Sequence, residues 1–232
     1  MTQPATRHAP SAFATGEHGV FEGSEDDLVV FGSYRRTGTY APELVALIAR
    51  LLQNGTGTLI DVGANIGLVA VPVLERTAAT GVLFEPEPTN HALLRRNLQR
   101  HGLCDRCETH ALALDAHEGH ASLTLSVDNS GDHRLAYGRA LEDRQAISVR
   151  TARLDDVLEA RKLDAPVVLK LDCQGAEVRV LAGAAHTLGR VDYAVIEYWP
   201  AGLLRMGDDA IALLQTLLAF PYAALLLPGR PL

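Results

Sequence analysis

The stretch Asp61-Val62-Gly63-Ala64-Asn65-Ile66-Gly67 decides the fold. It ends the short apolar run Thr58 to Val62 and opens Ile66 to Ala79, which reads as a helix. A strand, a glycine turn and a helix in that order make the first half of a βαβ unit. Gly63 and Gly67 permit a sharp turn and a close backbone approach to a ligand. The helix N-terminus adds free N–H groups. The acid precedes the first glycine, and the interval from Gly63 to Gly67 is wrong for G-x-G-x-x-G, so a nicotinamide-dependent oxidoreductase is disfavoured. An acid here suits a ligand that carries an ammonium group and would repel a pyrophosphate.

Outward from this loop the order repeats. Gly81 to Phe84 is a second strand, Asn90 to His101 a helix closed by Gly102, and Thr109 to Leu114 a third strand. Ala121 to Val127 and Ile147 to Thr151 read as strands around the polar stretch Asp128 to Gln145, an expected insertion or substrate loop. Leu154 to Arg161 reads as a short helix, and Val167 to Leu171 as an apolar strand whose one charge is Lys170. Ala176 to Leu188 (helix), Tyr193 to Ile196 (strand), Asp208 to Ala219 (helix) and Ala223 to Leu227 (strand) complete the series. Upstream, Met1 to Glu17 reads as a loose leader and Gly19 to Gly38 as a small hairpin or lid. Pro42 opens a helix with apolar residues from Leu44 to Leu52, ended by Asn54 and Gly55. The pattern predicts an α/β, Rossmann-like fold: a mostly parallel, doubly wound sheet with helices on both faces. Residues 1–57 are expected to hold leader, lid and first helix, and 58–232 the ligand-binding unit.

In such sheets ligands sit beyond the carboxyl ends of the strands, which selects the candidates. Glu85, in Phe84-Glu85-Pro86-Glu87-Pro88, can accept both hydroxyls of a ribose, with Pro86 and Pro88 stiffening the turn. Asp115 follows the third strand, where it would reach an adenine edge. With Asp61 for an amine, three strand ends thus fit the methionine, ribose and base of S-adenosylmethionine. Asp172 follows the strand ending at Leu171, near the reacting methyl group, and Glu197 follows Ile196 beside Tyr198 and Trp199. Asp172 is the first candidate for the base that orients or deprotonates an acceptor hydroxyl, Glu197 the second and His133 the third.

The Asp61–Gly67 loop, the Phe84-Glu85-Pro86 turn, the segment Lys170-Leu171-Asp172-Cys173-Gln174-Gly175-Ala176-Glu177 and Glu197 after the next strand, in this order, resemble the FkbM-type methyltransferases from about Thr58 to about Trp199. The resemblance implies cofactor contacts at Asp61, Gly63, Asn65, Gly67 and Glu85, and Asp172 and Glu197 near the substrate; Ala64, Pro86, Asp115 and Asp172 complete the expected cofactor-binding set. It also implies O-methylation of a hydroxyl on a sugar, polyketide or other small molecule, with Asn129-Ser130-Gly131 lining the same pocket. Two departures stand out. Gln174 occupies a position where the family usually has glutamate. The chain also stops at Leu232, soon after the strand expected at Ala223 to Leu227, so the closing antiparallel strand of such sheets is expected to be missing or supplied by a partner chain. Both departures keep a second reading open, a non-catalytic binding or scaffold protein on the same fold.

Composition sets outer bounds. At 232 residues, 47% hydrophobic and 21% charged, the chain suits one globular unit. A net charge of -7 argues against a nucleic-acid backbone as partner. The polar N-terminus has no apolar core of a secretory signal, and the richest apolar stretch, Ala210 to Leu227, is interrupted by Gln215, Thr216 and Pro221. A cytoplasmic protein without a membrane partner is expected, with a homodimer left open by the unfinished sheet edge. The three cysteines do not suggest disulfides, and the run His101, Cys104, Cys107, His110 straddles three elements, unlike a zinc knuckle. No metal ligand set is expected.

Overall fold

The computed structural model describes residues 10–52, 55–136 and 144–218. A hairpin of β1 (Ser11–Gly16) and β2 (Gly19–Ser24) leads into α1 (Val30–Thr37) and α2 (Pro42–Leu51). Then come β3 (Thr58–Val62), α3 (Ala70–Glu75), β4 (Thr80–Phe84), α4 (Pro88–Arg100), β5 (Cys107–His110), β6 (Ala113–Leu114), β7 (Gly119–Thr124), β8 (Arg134–Ala136) and β9 (Ala146–Ala152). The series continues with α5 (Leu154–Leu158), β10 (Val167–Leu171), α6 (Glu177–Ala182), α7 (Ala185–Leu188), β11 (Tyr193–Ile196), α8 (Pro200–Met206) and α9 (Ala210–Leu217).

The central sheet is parallel throughout, in the order β11-β10-β3-β4-β5. The chain winds one way from β3 through β4 to β5 and the other way through β10 to β11. The switch point therefore lies between β3 and β10, where a Rossmann-like sheet binds its ligand. Every residue of β3 and β10 is buried, as expected of parallel strands covered on both faces. Burying a side chain such as Leu59, Ile60 or Leu169 contributes roughly 1.5–3 kcal/mol, which holds five-residue strands that have no polar alternation. Register pairs Lys170 with Asp61 and Leu171 with Val62, so the chemistry-bearing ends of β10 and β3 lie level. Among the described residues, no helix is long and apolar enough to cross a membrane.

Several elements depart from the sequence reading. Ser11–Gly16, expected in a loose leader, is strand β1, because β2 carries Phe21 into the core between Tyr34 and His101. Leu28 to Phe31, expected in a hairpin, turns helical: the Asp27 carboxylate accepts from the Val29, Val30 and Phe31 N–H groups. The helix expected over Ile66 to Ala79 shrinks to α3, since left-handed Asn65 and Gly67 delay its start. The helix expected from Ala176 to Leu188 is split into α6 and α7 by Gly183, whose bare Cα packs against the Asp115 carbonyl. The third strand divides: β5 stays in the central sheet, whereas β6 joins a second sheet of order β6-β9-β7-β8. This inserted sheet buries Ala113, Leu123, Leu135 and Val149 together with Ala176 of the main body, roofing the switch point. Helix α8 and strand β8 had no periodicity to announce them. The strand expected at Ala223 to Leu227 lies outside the described residues.

Candidate functional site

A cavity of about 280 Å³ opens at the carboxyl ends of β3, β4, β10 and β11. Of the residues picked from sequence, it gathers Gly63, Ala64, Asn65, Glu85, Pro86, His133, Asp172 and Glu197. The β-ladders run on into the loops and set these residues: Gly63 and Ala64 N–H donate to Phe84 O at 3.0 Å, Asp172 N–H to Val62 O at 3.2 Å and Glu197 N–H to Leu171 O at 2.8 Å. Gly63 has a left-handed φ of 80°, and a Cβ there would meet Asp172 O at 2.0 Å. Only glycine lets the two loops touch.

Glu85 forms one end of the cavity. Its Oε2 accepts from Asn65 N–H and its Oε1 from Glu87 N–H, both at 2.9 Å. Burial pushes this carboxyl up to about 8 against those two donors, and no cation pairs with it directly. Each oxygen keeps a lone pair for a further donor. Asn65 itself is left-handed, at φ 51°, and its Nδ2 donates to Ser130 Oγ at 3.1 Å. Ser130 Oγ donates in turn to Asp27 Oδ2, the α1 cap, at 2.5 Å. One polar chain thus ties the β3 loop, the inserted segment and the N-terminal hairpin around Glu85.

The opposite end holds the second acidic group. Gln174 Nε2 donates to Asp172 Oδ1 at 2.8 Å and to Glu197 Oε2 at 3.0 Å. Burial and the adjacent Asp172 charge push the Glu197 carboxyl up to about 8. Glu177 Oε1 holds the turn from beneath, accepting from Cys173 N–H at 3.0 Å and Gly175 N–H at 3.3 Å. Burial raises the Cys173 thiol well above its ordinary value, which leaves it protonated and a poor nucleophile. His133 lines the cavity with its Nδ1 accepting from Ser126 N–H at 3.1 Å, so the neutral ring carries its proton on Nε2. Burial lowers its pKa, and the ring offers the cavity a donor rather than a base.

Three residues picked from sequence lie off the cavity wall. Asp61 is fully buried, with Oδ1 2.8 Å from Lys170 Nζ, so the ammonium it meets is the protein's own. Burial opposes the Lys170 charge, but Asp61, with Asp172 beyond, outweighs it and raises the pKa. Lys170 Nζ also donates to Gly63 O at 3.0 Å, so the pair shapes the loop from below. Gly67 faces α4, where a Cβ would come within 2.9 Å of Leu94. Asp115, read as reaching a base, accepts from Ala116 N–H at 2.6 Å and lies 3.8 Å from Arg179, because Leu114 pairs into the inserted sheet and turns the chain away.

The sequence reading missed Tyr40. It lines the cavity, burial and the Asp172 charge push its hydroxyl up to about 12, and among the described residues that hydroxyl makes no hydrogen bond. It precedes Ala41, a non-glycine residue at φ 44° just before Pro42, and such strain gathers at functional sites. Nothing in the local pattern marks it. Lys170 was legible as a charge in a buried strand, which demands a partner. Asn129, Ser130 and Gly131 line the cavity as the resemblance implied. His101 and His110 are turned elsewhere, each within 3 Å of a carboxylate (Glu75 at 2.7 Å and Glu108 at 2.9 Å).

Comparison with known proteins agrees with this geometry. The Methyltransferase FkbM domain matches residues 61–219, more than half of the 232-residue chain. The 2-O-methyltransferase NoeI of Sinorhizobium fredii is 31% identical over 166 residues, covering 65% of this chain and 67% of its own. The 31-O-demethyl-FK506 methyltransferase FkbM of Streptomyces tacrolimicus is 32% identical over 153 residues, 54% of this chain and 58% of its own. The hexuronic acid methyltransferase AglP of Haloferax volcanii is 27% identical over 144 residues, 60% and 54% respectively. The matches thus span between about half and two thirds of these relatives' lengths. With the parallel sheet, its switch point and the loops that frame the cavity, the chain belongs to the FkbM methyltransferase domain family.

Proposed function

We propose that this protein transfers the methyl group of S-adenosylmethionine to a hydroxyl oxygen of a small molecule such as a sugar, a polyketide or another natural product. One observation carries the reading: a single cavity holds Glu85 at one end and the Asp172–Glu197 pair at the other. Three methyltransferases among the relatives support it, two of them named for the oxygen they methylate.

The residues fit the cofactor. The free lone pairs of Glu85 match ribose hydroxyls, and their donation would hold the buried carboxylate in its charged form. Leu112, Leu114 and Leu123 offer an apolar wall for a base. Gly63, Ala64 and Asn65 bring main chain close to the methionine part, and Pro86 stiffens the rim, while Asp61 and Gly67 act indirectly by holding the loop. When bound, S-adenosylmethionine supplies an electrophilic methyl group. The protein's share is to hold the acceptor oxygen in line with that methyl. Asp172 takes the hydroxyl proton, Glu197 stands beside it, and His133 and Tyr40 orient the acceptor as donors. In this reading residues 58–232 form the catalytic unit, residues 1–57 cover it, and the protein works in the cytoplasm, with a homodimer as its expected assembly.

Calorimetric titration with S-adenosylmethionine, S-adenosylhomocysteine and NAD tests the reading, with Glu85→Ala as control. The first two should bind and NAD should not, and the variant should lose about ten- to a hundredfold in affinity. A folded protein that binds neither sulfur ligand would overturn it and favour a scaffold role.

A further inference from the structure

Gln174 does something in this cavity that neither the fold nor the family match assigns. Its carboxamide nitrogen has two hydrogens and spends one on each acid, Asp172 at 2.8 Å and Glu197 at 3.0 Å. The two acids come from different strand ends and also touch each other directly, and this side chain bridges them with a neutral donor to each. The backbone is arranged for the purpose. Gln174 sits at φ 57° and Gly175 at φ 103°, and an L side chain enters the first region only at a cost. The fully buried Glu177 holds that turn through the Cys173 and Gly175 N–H groups. Gly175 also presses on the backbone of Gly202 in α8, where a Cβ would come within 2.7 Å, so the turn is docked on the segment that follows Glu197.

We propose that Gln174 is a positioning residue that clamps Asp172 and Glu197 into one proton-handling pair, in which Asp172 receives the acceptor's proton and Glu197 returns it to solvent. The inference rests on the methyl-transfer reading above. As the acceptor oxygen bonds to the methyl carbon, the carbon–sulfur bond breaks and its electron pair stays on sulfur, so the sulfonium becomes a neutral thioether. The acceptor's O–H proton moves to the Asp172 carboxylate, leaving a neutral ether. Both acids line the cavity, but Glu197 is the more solvent-exposed residue of the two even though its carboxyl is partly covered, which sets the direction of proton exit. Among the described residues, the groups facing the pair are Lys170 as the cation, Glu177 as a further acid, and the hydroxyl of Tyr40 and thiol of Cys173 as weak acids. A neutral double donor suits this setting, because a carboxylate at position 174 would add a charge and remove both hydrogen bonds.

The test is a pH titration of carbon-13-labelled side-chain carboxyls by NMR on the intact protein, with signals assigned through Asp172→Asn and Glu197→Gln. Gln174→Gly removes the clamp and relieves the left-handed backbone, so it should fold. The Glu197 midpoint should rise by about one pH unit in Gln174→Gly, because a donor to its charged form is lost, and further in Gln174→Glu. With a working acceptor, Glu197→Gln should lower kcat, and small diffusible bases should restore part of it while cofactor affinity holds. A Gln174→Gly protein that titrates like the parent would overturn the clamp, and a Glu197→Gln enzyme at full kcat would overturn the exit route. The titration needs neither cofactor nor acceptor, so its failure is separate from a failure of cofactor binding.

Discussion

The two ends of the cavity are held in place by different means. Glu85 is fastened by main-chain N–H groups of Asn65 and Glu87, which the β3 and β4 ladders have already placed. Asp172 and Glu197 meet side chain to side chain, with Gln174 donating to both. An acid held by main chain inherits its position from the fold. A pair held by a side chain can be retuned by one substitution that leaves the fold alone.

The largest effect should come from the acceptor end. Asp172→Asn keeps shape and hydrogen bonding and removes the proposed base, so kcat should fall by about 10²- to 10⁴-fold. Single-turnover kinetics checks this, and unchanged cofactor affinity alongside it would sharpen the division between the two ends. Lys170→Met strikes the floor common to both. It leaves Asp61 charged and fully buried without a partner, which should cost about 3–5 kcal/mol in urea unfolding. The double variant with Asp61→Asn should recover part of that loss. If Lys170→Met were neutral, the pair would be no part of the scaffold.

A smaller effect belongs to Tyr40. Loss of its hydroxyl in Tyr40→Phe should lower kcat/KM for the acceptor by about three- to tenfold, with cofactor affinity unmoved. Weaker cofactor binding instead would shift Tyr40 to the other end. A separate effect is a pH slope. Glu85 holds its proton up to about 8 in the folded state against an ordinary value of 4.5. Between these values the folded state binds more protons than the unfolded chain, so stability should fall as pH rises from about 4.5 through 8 and then level off. Glu197 contributes with the same sign but less, because it stands in solvent. Unfolding the ligand-free protein across this range should show the slope, and Glu85→Gln should flatten it more than Glu197→Gln does.

Much of the molecule was legible along the chain. Val167–Leu171 and Tyr193–Ile196 were readable to the residue, because both are short apolar runs between turn signals, the first fully buried and the second a half-buried edge strand. The strand-end rule then named Glu85, Asp172 and Glu197, since β-strand, turn and helix place a strand's last residue at the crevice whatever else the protein does. Helix lengths were less legible. Asn65 and Gly183 cut predicted helices short through backbone geometry and packing that no hydrophobic period encodes.

The tertiary structure decided which polar groups face each other. Asp61 looked like a ligand for an amine until the β10–β3 register set Lys170 beside it. Asp115 looked like a contact for a base until Leu114 paired into a second sheet. Tyr40 entered the cavity, and Gln174 changed from a departure in a motif to the bridge between two acids. The sequence by itself determined the order of strands and helices and the residues that end them, because those follow from local periodicity and turn chemistry. Which of those residues kept free lone pairs or protons for a ligand was settled only by the tertiary structure, because a buried charge takes its role from partners brought together across the fold.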